Sequence, residues 1–180
     1  MRSILISLIV GTSLAGGAQG AQQAPPRQPL TGAWTLNKDL SDQPAERGER
    51  EENGRGGRRG GDPQEMARMR DAMRDLLEPA DRLTIVETES MVIVTSSDGR
   101  TTRLSPDGKK IKDENTNAER RTRWDAGKLV SEISGLGRGK ITQTFSVDQD
   151  TRQMRIVVLL EGGREAQPRT ITHVYDADQR

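Results

Sequence analysis

Residues 30–37 read Leu-Thr-Gly-Ala-Trp-Thr-Leu-Asn, and the Gly32-Ala33-Trp34 inside them decides the fold. Trp34 and Leu36 alternate with Ala33 and Thr35, which puts Trp34 and Leu36 on one face of a strand. From residue 82 onward the apolar period is again two. Strands are predicted at 83–86, 91–94, 100–104, 109–113, 118–125, 128–134, 141–147, 153–161 and 169–176. The breaks between them are turn sequences: Asp98-Gly99, Pro106-Asp107-Gly108, Asp125-Ala126-Gly127, Gly135-Leu136-Gly137 and Gly162-Gly163. Consecutive hairpins of this kind predict a mainly β chain folded as an antiparallel up-and-down barrel. Closing that meander removes its exposed edges.

On this reading one face of each strand points inward. The expected interior is Trp34, Ile141, Phe145, Ile156, Val158, Ile171 and Tyr175, with Trp34 closing one end. The stretch 153–161 is apolar on both faces: Met154, Ile156, Val158 and Leu160 on one, Val157 and Leu159 on the other. That pattern predicts burial on both sides, beneath a helix.

The helix is predicted over 62–78. Asp62 is an N-cap, Pro63 occupies the first helical position, Glu65 adds an acid to the first turn, and Pro79 ends the run. Met66, Met69, Met73, Leu76 and Leu77 recur on one face. Methionine is soft and fills irregular surfaces, so this face either plugs the barrel or docks a partner. Before the helix, residues 46–62 contain six glycines, ten charged residues, one Asn and nothing apolar. Residues 46–61 are therefore expected to be disordered, because they cannot bury enough surface to offset chain entropy. Their arginines are interspersed with Glu46, Glu49, Glu51 and Glu52 and carry no aromatic for base stacking, which argues against a nucleic-acid tail.

Residues 1–20 read as a signal peptide. Arg2 is the positive end, residues 4–10 the short apolar run, and Ala18-Gln19-Gly20 the cleavage site. The run is shorter than the roughly 20 residues of a spanning helix, and no cysteine follows for a lipid anchor. Residues 21–29, with Pro25, Pro26 and Pro29, form an extended leader. Residues 30–180 are then one domain with an insert at 45–80, expected in the periplasm or secreted. Removing Arg2 with the signal leaves 27 basic and 27 acidic residues, so neither nucleic acid nor an anionic membrane would recruit the mature chain by charge.

Composition narrows the chemistry. With 31% hydrophobic residues in 180, and only Trp34, Trp124, Phe145 and Tyr175 as aromatics, the core is small and aliphatic. The chain has no cysteine, which removes disulfides, thiol catalysis and thiolate metal sites. The only histidine, His173, lies in the last strand without an evident triad or metal partner. Asp148 and Asp150 are too closely spaced for a calcium loop. Glu87 with Glu89, and Asp113 with Glu114, read as solvated strand ends rather than catalytic pairs. Gly135-Leu136-Gly137-Arg138-Gly139 sits between strands rather than ahead of a helix, so it is no phosphate loop. One cationic cluster remains: Arg120, Arg121 and Arg123 beside Trp124, with Arg138 and Lys140 two strands on. Pointing inward, these would line a site for an anionic or amphipathic ligand.

Gly32-Ala33-Trp34 at the mouth of the first strand resembles the opening of the lipocalin and wider calycin barrels. In that family the Trp packs across one end and an Arg from the last strand region stacks on it. Arg169 is the matching position, while the Thr-Asp-x-x-Tyr type run of true lipocalins is absent. The chain also resembles small uncharacterised exported bacterial proteins, through LTGAWTLN, the Gly/Arg-rich insert, the methionine helix ending in LLEP at 76–79, RLTI at 82–85 and RWDAGKLV at 123–130. The resemblance implies a lipocalin-like barrel in the envelope and carries over no activity.

Two functions follow. The first is a non-enzymatic barrel holding a small apolar or amphipathic ligand, with Trp34, Arg121, Arg123, Trp124, Ile141, Phe145, Ile156 and Tyr175 as its contacts and no cofactor or metal. The second is a filled barrel that binds a protein partner through Met66, Met69 and Met73. A hollow apolar interior favours the first, an exposed methionine face the second.

Overall fold

The computed structural model describes residues 28–42, 62–114, 116–136, 139–162 and 167–178. The expected signal peptide, nearly all of the leader and the Gly/Arg-rich stretch 46–61 lie outside the described residues. The elements are β1 (Gly32–Leu36), α1 (Pro63–Leu77), β2 (Arg82–Glu87), β3 (Val92–Ser96), β4 (Thr101–Leu104), β5 (Asp107–Lys112), β6 (Glu119–Asp125), β7 (Lys128–Ser134), β8 (Gly139–Asp148), β9 (Gln153–Gly162) and β10 (Arg169–Ala177).

All the strands belong to one ten-stranded antiparallel sheet in the order β4-β3-β2-β1-β10-β9-β8-β7-β6-β5. Except for β4 and β5, each strand pairs with its neighbours in the chain, and the first pairs with the last: Trp34 stands opposite Ala177 and Leu36 opposite Tyr175. The result is the expected up-and-down barrel, mainly β with one helix among the described residues. It is not sealed everywhere, however. β4 and β5, separated only by Ser105 and Pro106, do not pair, so the turn at 106–108 is not a hairpin and two edges remain. The local chemistry accounts for this. β4 is four residues long, Pro106 has no N–H to donate, and β5 bulges against β6 between Asp107 and Lys110, which twists it aside. Lys109, Lys110 and Lys112 on β5 put charge on the open edge, which discourages strand addition.

The inward face follows from the period of two. Leu129, Ser131 and Ile133 alternate with less buried residues on β7, as do Ile141, Gln143 and Phe145 on β8 and Met154, Ile156 and Val158 on β9. All seven residues expected inside are buried. Leu30, ahead of β1, is buried too, and its carbonyl accepts the Trp34 indole N–H at 3.0 Å. The indole packs against Gly32, 3.4 Å from where a β-carbon would stand. Arg169 does not stack on Trp34. It is exposed and stands eight residues, roughly 27 Å, along β10 from Ala177, the partner of Trp34.

α1 begins one residue later than predicted, with Asp62 as its N-cap: the Asp62 carboxylate accepts from the Gln64 N–H at 2.9 Å. None of its residues is buried, but Met69, Ala72, Met73, Leu76 and Leu77 pack against the barrel core. The Leu77 carbonyl meets the inward-facing His173, and Asp75 pairs with Arg100 at the start of β4. The helix therefore covers the mouth. It does not lie over Val157 and Leu159, as their apolar pattern had predicted. These two are half-buried on the outer face, opposite Thr144 and Thr142 of β8 and Thr172 and Thr170 of β10.

The β6–β7 hairpin turns on Ala126 (φ 46°) and Gly127 (φ 80°), both left-handed. Ala pays a steric penalty there that Asn tolerates better. Ala126→Asn is therefore expected to stabilise the protein by about 0.5–1 kcal/mol. Urea unfolding checks it: the midpoint should rise with the slope unchanged.

Candidate functional site

The inward faces do not fill the barrel. A cavity of about 630 Å³ lies between the sheet and the C-terminal end of α1. Its apolar wall is made by Leu83, Val94, Ile133, Phe145, Ile156 and the ring of Tyr175. It reaches the unpaired seam, where Arg103, Leu104 and Ser105 face Ile111 and Lys112, and the helix end, where Asp75, Leu76 and Glu78 stand. The opening is charged, and the lining mixes these apolar side chains with polar ones such as Thr102, Thr116, Thr122, Gln143 and His173.

Within the wall is one polar group of note. Arg120, Thr122 and Trp124 share the inward face of β6, because Thr122 pairs with buried Ser131 and Trp124 with buried Leu129. Arg120 Nη1 donates to Ser131 Oγ at 3.1 Å and to Gln143 Oε1 at 3.4 Å, and Thr122 Oγ1 donates to Ser131 Oγ at 3.1 Å. Desolvation brings the Arg120 guanidinium down to about 10, against a smaller opposing pull from Asp113, so it stays charged at neutral pH. The surface that Arg120 keeps accessible belongs to the cavity lining.

The other arginines of the cluster lie elsewhere. Arg121 is exposed, and its Nε donates to the Gly108 carbonyl at 2.8 Å. Arg123 pairs with Glu132 at 3.1 Å, and Lys140 joins the same oxygen at 3.2 Å. Partial burial would raise the Glu132 carboxyl, but hydrogen bonds from Arg123 and Lys140 outweigh it and hold it low. The expectation that Arg121 and Arg123 face the interior is thus corrected: with a period of two they share the opposite face from Trp124, and Arg120 is the inward residue. Arg138 lies outside the described residues. Of the other expected contacts, Phe145, Ile156 and Tyr175 line the cavity, while Trp34, Trp124 and Ile141 belong to the packed part of the core. Thr122 and Ser131 were not singled out by the sequence reading. Two small hydroxyl residues facing each other across a hairpin were the available signal.

β10 contributes His173 and Tyr175, and both hold the helix end. His173 Nε2 lies 3.2 Å from the Leu77 carbonyl, so the neutral ring donates from Nε2, and buried Nδ1 has no partner among the described residues. Tyr175 bonds the backbone at Ala80, and burial pushes its phenol above the ordinary range. Burial lowers the His173 imidazole below 6.5, against weaker upward pulls from Leu77 and Asp42. The unfolded chain therefore takes up a proton first as pH falls below 6.5, and stability present above that pH is lost beneath it. The limit for one proton is about 1.4 kcal/mol per pH unit. His173 is the only histidine, so the difference in melting temperature between pH 7.5 and 5.0 should be smaller in His173→Gln than in the parent. Equal differences would refute the assignment.

Among the described residues no group of three or more His, Asp or Glu is placed to hold a metal ion, and no helix is long and apolar enough to cross a membrane. Among the described residues the site offers a part-open hollow with apolar wall residues and one half-buried cation, Arg120.

No family matches the sequence, and no curated protein does. A similar solved structure is that of a secretary abundant heat soluble (SAHS) protein from Ramazzottius varieornatus, at 9% identity and a TM-score of 0.47, covering 83% of this chain and 95% of that one. A likeness at that level carries no functional weight.

Proposed function

We propose that the protein is a non-enzymatic binding barrel of the bacterial envelope that holds a small apolar or amphipathic ligand inside. The observation that carries this reading is the cavity of about 630 Å³, walled in part by apolar side chains and reaching the seam between β4 and β5. Its volume lies within the range of drug-sized and lipid-sized sites. The envelope location rests on the signal-type sequence at residues 1–20. The alternative, docking a protein through Met66, Met69 and Met73, has less support, since Met69 and Met73 pack against the barrel and only Met66 is well exposed.

Native mass spectrometry of protein purified from the periplasm tests the reading. The expected result is a chain beginning at Ala21 that carries an adduct lost on denaturation. Protein found only in the cytoplasm with residues 1–20 retained would refute the location. A bare mass that stays bare after incubation with mixed envelope lipids and their hydrolysis products would refute the carrier.

A further inference from the structure

We propose that the open seam takes up an extended peptide as an added strand on β5, and that the peptide it selects alternates acidic and apolar residues. This is a second binding surface, at the edge of the sheet, and it does not depend on what the cavity holds.

Unused backbone groups come first. β5 is the last strand of the sheet, with β6 as its only neighbour among the described residues. Just beyond its end, the Asp113 N–H donates to the Ala118 carbonyl at 2.8 Å. Backbone groups of an antiparallel strand point alternately to its two sides, so Ile111 also bonds toward β6. The N–H and C=O groups of Lys110 and Lys112 are thereby turned to the seam. A row of such groups on a sheet edge is a template for an added strand, with main-chain bonds giving affinity and alternate side chains giving specificity.

The side chains around the seam define that strand. On β4, Leu104 and Thr102 stand opposite buried Val92 and Val94, so they point inward and Arg103 points outward. On β5, Ile111 stands opposite Arg120 on the inward face, which puts Lys110 and Lys112 outward, level with Arg121 and Glu119. The outer rim is therefore mainly cationic. Lys110 is paired with Glu119, but Arg103 and Lys112 have no ion pair among the described residues. Of the other acids nearby, Asp107 is paired with Lys109, Asp113 accepts from the Thr116 N–H at 2.8 Å, and Glu114 lies past the end of β5. The inner rim is uncharged: Leu104, Thr102 and Ile111, which is 49% exposed. A strand lying here would turn acids outward to Arg103 and Lys112 and apolar side chains inward to Ile111. The lysines that discourage a neutral strand thus favour an acidic one. They also disfavour a second copy of the chain, since two β5 edges side by side would bring like charges together.

Fluorescence anisotropy of the purified protein, with labelled peptides long enough to run beside β5, tests this. A peptide alternating Glu and Val should bind about tenfold more tightly than one alternating Lys and Val, the effect of a few exposed charge pairs. Methylating the backbone nitrogen of every Val, and separately of every Glu, should weaken at least one of the two resulting peptides by about tenfold, because one set of N–H groups must face β5. Arg103→Glu combined with Lys112→Glu breaks no described ion pair and should invert the preference toward the Lys-Val peptide, with the melting temperature within about 2 °C of the parent. No preference for Glu-Val in the parent, full binding of both methylated peptides, or an unchanged preference in the folded double variant overturns the proposal. So does a dimer that forms through this edge and shuts the peptide out. The peptide comparisons need only the parent, so they decide the matter even where the double variant does not fold.

Discussion

Trp34→Ala should lower stability more than any other single truncation in the chain, by about 3–5 kcal/mol. The indole is 5% exposed, packs in the cluster that holds Leu30 and Leu83, and donates to the Leu30 carbonyl at 3.0 Å. Its removal leaves a void where β1 joins β2 to β10, the junction that links the two halves of the sheet. It also strands a buried carbonyl. At roughly 2–4 °C per kcal/mol for a chain of this size, the melting temperature should fall by about 6–20 °C. Trp34→Phe separates the two parts. It restores most of the volume but not the hydrogen bond, so it should recover all except about 1–3 kcal/mol. Trp34→Ala and Trp34→Phe with equal losses would mean that the hydrogen bond, not the packing, dominates. A loss below about 1 kcal/mol for Trp34→Ala would show that the residue does not anchor the closure.

How much of this could be read in advance follows from the range of the interactions involved. Strand positions were legible because the period of two is local and because turns such as Asp98-Gly99 and Ala126-Gly127 punctuate it; Gly99 and Gly127 do take left-handed φ values of 85° and 80°. The helix was legible for the same reason, from Asp62 and Pro63 at one end and Pro79 at the other. The open seam was not. Whether β4 pairs with β5 depends on where β1 and β10 meet, a contact between residues as far apart in the chain as Trp34 and Ala177 that no local pattern reports. The apolar outer face of β9 misled in the opposite direction: Val157 and Leu159 suggested a covering layer, yet threonines on both neighbouring strands shelter them instead.

The site was legible in part. Phe145, Ile156 and Tyr175 could be placed inside by alternation alone. The arginine cluster could be found but not resolved, because Arg120, Arg121 and Arg123 sit on consecutive sides of one strand. The parity was nonetheless present in the next strand. The two-residue turn at Ala126-Gly127 fixes Asp125 opposite Lys128, and counting back from there puts Trp124 on Leu129, Thr122 on Ser131 and Arg120 on Ile133. Because Leu129 and Ile133 are the strongly apolar pair of β7, their face is the inner one, and Arg120 goes with it. Packing decides the remainder: the C-terminal end of α1 lies over the mouth and contributes Ala72, Asp75 and Leu76 to the cavity lining.

Arg120→Met is expected to make the empty protein more stable. Arg120 is largely desolvated and has only neutral hydrogen-bond acceptors, and replacing buried charged groups by apolar ones of similar volume is neutral or stabilising by about 1–4 kcal/mol. The lower part of that range, about 1–2 kcal/mol, applies here because the cavity side of Arg120 keeps access to solvent. The melting temperature should rise by roughly 2–8 °C. Thr122 and Ser131 keep their mutual hydrogen bond, and Gln143 turns its amide to the cavity, so no buried acceptor is stranded. A fall in melting temperature would mean that Arg120 serves the fold through Ser131 and Gln143.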